Sequence, residues 1–181
     1  MAFWPFSRRP SGGPKLCILH SGMPKTGSSA LQRYLARNAG KLRRHGILYA
    51  RAGRGMFRGV EHGDLMRSIS ERPLYANTGH LPAELDRELR RTAHDVLLIS
   101  SEYLYSPLYF NRNQKIQTFF RERGYEIHSV LYIRDQPDFV NSAYAQMVKT
   151  LHEPGSFEHF LELRLRRDPP PAGRRLRLDH L

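Results

Sequence analysis

The sequence predicts an α/β protein of three layers, a mainly parallel sheet flanked by helices. Three observations carry that prediction. Apolar strand-like runs alternate with helical patterns from residue 15 onward, and stretches rich in Gly, Pro and Arg separate them. The polar residues of most chemical interest stand just past the ends of the apolar runs, where open α/β sheets bind their ligands.

The first run, KLCILH, starts at Lys15 and reads as a buried strand. Cys17 lies within it and is the chain's single cysteine, so no intrachain disulfide is possible and a buried structural thiol is expected. His20, later in the run, reads as packing. The strand leads into SGMPKTGSS, residues 21–29, a loop of Gly, Lys, Ser and Thr that opens a helix. Gly22 and Gly27 let the backbone turn and come close to an anion, the amides starting the helix point at negative charge, and Lys25 adds a mobile cation. A helix over Ser28–Arg37 places Leu31, Tyr34 and Leu35 on one face, and Asn38-Ala39-Gly40 supplies a stop.

Residues 47–50 read as a short strand and 51–59 as a loop. His62, Leu65, Met66 and Ile69 fall at i, i+3, i+4 and i+7 and predict a helix. Residues 73–80 form another loop, and Pro82 opens a helix that turns Leu85 and Leu89 inward. Residues 96–101 are a strong buried strand with Glu102 at its mouth. Residues 113–123 predict a helix with Ile116, Phe119 and Phe120 inside and Gly124 at its end. A strand over 127–133 ends at Arg134. Asp135 and Pro137 then start a helix with Phe139, Val140, Ala143, Tyr144, Met147 and Val148 apolar and Ser142 off that stripe. A last helix over 156–167 meets Asp168 and three prolines. The expected organisation is a flexible segment over 1–14, one α/β domain over 15–167 and a Pro/Arg-rich tail over 168–181.

The position of the lysine decides the kind of phosphate loop. Nucleoside-triphosphate loops place it after the last glycine, G-x-x-x-x-G-K-[ST], whereas Lys25 comes two residues before Gly27. The string Gly22-Met-Pro-Lys-Thr-Gly-Ser-Ser29 resembles instead the 5′-phosphosulfate loop of sulfotransferases that use 3′-phosphoadenosine-5′-phosphosulfate (PAPS), whose core is P-K-[ST]-G-[ST]. Pro24, Lys25, Thr26, Gly27 and Ser28 match it, and Ser29 continues the amide run. A second segment, VLYIRDQPDFVNSAYAQMV, resembles the 3′-phosphate segment of the same family, with an Arg at a strand end and a Ser eight residues later, here Arg134 and Ser142. The resemblance covers residues 16–151. Members usually continue into a basic, Gly-containing loop that closes over the adenosine, and the resemblance therefore implies a member truncated at its C-terminus.

That resemblance implies transfer of a sulfuryl group from PAPS to a hydroxyl, or an amine, of a carbohydrate or other small acceptor, with 3′-phosphoadenosine-5′-phosphate (PAP) as product. Lys25 would neutralise the leaving phosphate, and the loop amides would hold the 5′-phosphate. Glu102 is the leading candidate base, and a structural carboxylate that pairs with a basic residue or caps the next segment is its alternative. His62, in GVEHGDL, is the second candidate base, against a histidine that faces solvent or is satisfied within the core. Two other readings stay open: an inactive or truncated nucleotide-binding remnant, and a basic protein of nucleic-acid or membrane surfaces.

Composition bounds these readings. With 181 residues, 40% hydrophobic, the chain is long enough for a substantial core. A net charge of +12 suits an anionic partner such as PAPS. No aromatic RNA-binding motif or zinc-finger spacing promotes a specific nucleic-acid partner. The histidines show no paired metal-ligand spacing, so no metal is expected. No run reaches the length of a membrane span, and the aromatic residues of the opening segment precede its arginines, unlike a secretory signal, which predicts a cytoplasmic protein.

Overall fold

A computed structural model of the chain describes residues 13–23, 26–54, 59–70, 78–105, 110–150 and 155–165. Contacts divide the chain into two compact units, Met1–Ile133 and Arg134–Leu181. Among the described residues the first carries four strands, β1 (Lys15–Gly22), β2 (Ile47–Tyr49), β3 (Val96–Ser100) and β4 (Tyr125–Tyr132), paired in parallel in the order β2-β3-β1-β4. The near-continuous apolar reading of β1 and β3 follows from this position, because a central parallel strand is covered on both faces. Leu19 pairs in register with Ile99, and His20 stands opposite both Ser100 and Val130.

Alternation along the strands divides the side chains between two faces. Cys17, Leu19, Leu97 and Ile99 pack in one cluster with Leu65 and Met66 of α3 (Gly63–Ser70), Leu85 of α4 (Leu81–Arg91), and Ile116 and Phe120 of α5 (Phe110–Arg121). Burial pushes the Cys17 thiol far up, which keeps it protonated and inert. On the other face lies α1 (Ser28–Arg37), whose Gln32 Nε2 donates to Ser100 Oγ at 3.2 Å. Helices therefore cover both faces, giving the three-layer α/β architecture that the alternating pattern predicts.

Two joints fix the layers. Arg123 closes a fork on Asp86, at 2.7 and 3.0 Å, and its guanidinium lies 3.4 Å over the Phe119 ring, tying the end of α5 to α4. Gly53 turns with φ +73°, and a Cβ there would lie 2.3 Å from the Cβ of Leu65. Only glycine fits between that loop and α3.

The stop at Asn38 is a joint rather than an end. Its amide donates to the Tyr34 carbonyl, as does its side chain, and the chain then resumes as α2 (Ala39–Arg44) before Gly46 turns it into β2. Helix α5 starts at Phe110, earlier than the apolar periodicity from 113 shows. In the second unit, Tyr144 of α6 (Gln136–Lys149) meets Phe157 and Phe160 of α7 (Phe157–Leu165) and donates its hydroxyl to the Gly155 carbonyl at 2.8 Å. Among the described residues no helix is long and apolar enough to cross a membrane. The segments 1–12 and 166–181, which hold most of the expected flexible start and all of the tail, lie outside the described residues, as do Pro24 and Lys25.

Candidate anion loop and carboxylate

The end of β1 sets the loop. Met23 N–H donates to the Tyr132 carbonyl of β4, and Thr26 bonds back to the Met23 carbonyl through its hydroxyl, at 2.7 Å, and its amide. A Cβ on Gly22 would stand 2.8 Å from Thr26 Oγ1 and 3.3 Å from Ser28 Cβ, so the loop folds onto a strand end that has room only for glycine. Gly27 takes φ 84° at the N-cap of α1 and offers no side-chain cap, while its carbonyl accepts from Ala30 and Leu31. The first amides of α1 are thus left for a ligand or water, with the helix dipole behind them.

Glu102 reaches this loop. It opens a 3₁₀ turn, Glu102–Tyr105, directly after β3, and its carboxylate accepts a hydrogen bond from the Ser28 hydroxyl. The two segments meet because β1 and β3 are neighbours in register and both end here, with Ser101 N–H donating to the His20 carbonyl. Ser28 has one hydroxyl proton, which goes to Glu102, so it would meet an anion through its backbone amide. Beneath this pair His20 Nδ1 and Ser100 Oγ share a 2.7 Å hydrogen bond, with Gln32 donating to the same hydroxyl. Burial lowers the proton affinity of His20 and keeps it neutral.

His62 is placed differently. Its ring is fully buried, with Nε2 donating to the Ala50 carbonyl at 2.8 Å and Nδ1 accepting from the Ser100 amide at 3.1 Å. The ring stands edge-on to Tyr49, and burial brings its pKa down to about 4. Both nitrogens are engaged in joining the ends of β2 and β3, which leaves none for an acceptor hydroxyl. This is the core-satisfied alternative to a histidine base.

Arg134 and Ser142 belong to the second unit. Arg134 stands two residues before α6 and lies 3.8 Å from Asp138, and Asp138 and Ser142 are four residues apart on one helix face. An acidic residue therefore sits between the two residues matched to the 3′-phosphate segment.

Sequence reasoning passed over Glu61 and Gln32. Burial raises the Glu61 carboxyl above the ordinary range, although the Ser101 hydroxyl bonds it and the Gly63 amide donates to it at 2.8 Å. Gln32 had a legible signal, since it lies four residues after Ser28 and so on the same face of α1. In comparisons with known proteins, no family model matches the chain and no curated sequence does.

Proposed function

We propose that this protein is a PAPS-dependent sulfotransferase, transferring a sulfuryl group to a hydroxyl or amine of a carbohydrate or other small acceptor in the cytoplasm. The observation that carries the reading is the Ser28–Glu102 bond, which joins a glycine-shaped anion loop to a carboxylate at the end of the adjacent strand. The cradle at Gly22 and the uncapped first turn of α1 suit the 5′-phosphate of the donor. PAPS supplies the activated sulfuryl group. Glu102 takes the proton of the attacking hydroxyl as its oxygen bonds sulfur, and the electron pair of the breaking S–O bond goes to the 5′-phosphate, giving PAP. The amides of residues 27–29 and the Lys25 ammonium hold the charge that grows there, while the Thr26 amide stays on the Met23 carbonyl. Arg134 and Ser142 are assigned to the 3′-phosphate by the resemblance alone.

One observation favours a second reading, a nucleotide-binding remnant without turnover. Arg134 already has Asp138 near it, and a phosphate would have to compete with that carboxylate. The experiment that separates the two follows labelled sulfate from PAPS into a panel of uronic-acid, amino-sugar and neutral oligosaccharides. Transfer that falls about 100-fold in Glu102→Gln, with PAP binding unchanged, supports the enzyme and its base. PAP binding with no transfer to any acceptor supports the remnant, and equal transfer by Glu102→Gln removes Glu102 as the base.

A further inference from the structure

A groove of about 570 Å³ opens beside α1, lined among the described residues by Arg33, Ala36, Arg37, Arg54, Gly59 and Val60. Three guanidinium groups from two segments face it. Arg33 and Arg37 are four residues apart on α1, a spacing at which like charges repel. Arg54 comes from the loop after β2, and among the described residues no carboxylate forms an ion pair with any of the three. The Nε of Arg54 is buried without a hydrogen-bond partner, and burial disfavours its charge.

The wall that presents Arg54 is built. Tyr49 donates its hydroxyl to the Val60 carbonyl and lies under the Arg54 guanidinium, 5.5 Å from ring centroid to Cζ. His62 holds the Ala50 carbonyl. Glu88, the carboxylate that acts on Arg54 through space, is already bonded by the Arg51 and Ala52 amides at 2.9 Å. Arg54 is therefore fixed, partly desolvated and short of an anion. Guanidinium forks of this kind match the paired oxygens of carboxylates and sulfates.

We propose that this groove binds an anionic oligosaccharide segment, bearing sulfate or carboxylate groups, of the molecule that accepts the sulfuryl group. The acceptor role rests on the sulfotransferase reading, whereas the binding itself rests on the groove. The groove lies beside the second half of α1, the helix whose first residue, Ser28, bonds Glu102 of the turn after β3. The choice of a saccharide over an oligonucleotide follows the sulfotransferase reading, and the titration below separates the two.

The test titrates the full chain with a heparin-derived hexasaccharide, its desulfated and carboxyl-reduced counterpart, and a single-stranded oligonucleotide of matched charge, with PAP in a parallel arm. Wild type is expected to bind the sulfated hexasaccharide and not the neutral one. Affinity should fall about tenfold or more in Arg33→Ala/Arg37→Ala and in Arg54→Gln, with PAP binding unchanged. The double variant alters only the exposed face of α1 and so guards against loss of folding at Arg54. Undiminished hexasaccharide binding in both variants overturns the proposal. Equal binding of the oligonucleotide, lost in the same variants, overturns it in favour of a general polyanion patch. Hexasaccharide binding that depends on the arginines in a protein that does not bind PAP keeps the groove and removes the acceptor role together with the sulfotransferase reading.

Discussion

Acidification from pH 7 to pH 5 is expected to destabilise the first unit through His62, by an amount set by its burial. The ring has an ordinary pKa of 6.5 and is brought down to about 4 where it is sealed between Ala50 and Ser100. In that window the unfolded chain binds a proton that the native ring refuses, so stability is full above the ordinary value and is lost as pH falls toward the folded one. The loss is about 2 kcal/mol between pH 7 and pH 5 and about 3 kcal/mol by pH 4. His20 and His94 are also shifted down by burial and push the same way, so the His62 share has to be isolated. Urea unfolding of wild type and His62→Gln at pH 7, 6 and 5 does so. Glutamine costs a fixed amount at every pH, while the wild-type curve approaches that of the variant by about 2 kcal/mol on acidification. Curves that stay parallel would refute a sealed neutral ring and reopen His62 as a solvent-reachable base.

Three further perturbations follow from the same contacts. Gly53→Ala should destabilise by about 3 kcal/mol in urea unfolding, because its Cβ meets Leu65 at 2.3 Å on a backbone of positive φ; an unchanged midpoint would show that the loop does not press on α3. Arg123→Ala should cost about 1–2 kcal/mol at neutral pH. The Arg123 hydrogen bond holds the Asp86 carboxyl below the usual range, so this difference between Arg123→Ala and wild type should fade as acid protonates Asp86, and a difference independent of pH would assign it to packing on Phe119 instead. Ser28→Ala should keep PAP binding, since the first-turn amides remain, and lower sulfuryl transfer about tenfold by releasing Glu102; transfer at the wild-type rate would show that the bond has no part in placing the base.

The layers were legible because the sequence repeats one signal, an apolar strand that ends in polar residues, and β1, β3 and β4 each carry it. The nearness of Glu102 to the loop was legible for the same reason: adjacent parallel strands deliver their ends to one side of the sheet. Asn38 misled because Asn and Gly mark helix ends, and nothing local shows that the backbone turns once and resumes as α2. The burial of His62 was legible in the apolar stripe it shares with Leu65, Met66 and Ile69, whereas its partners were hidden, because the Ala50 carbonyl and the Ser100 amide are supplied by tertiary pairing, which side-chain patterns do not encode. The arginine groove was hidden too, since Arg33 and Arg54 become neighbours only when α1 and the loop after β2 are set side by side.

The central claim is a nucleotide cleft at the end of β1, and calorimetric titration of the full chain with PAP tests it most directly, beside Lys25→Ala and Arg134→Ala. The account predicts saturable binding at one site, lost or greatly weakened in both variants. A folded chain that binds no PAP, or binds it equally in both variants, would contradict it.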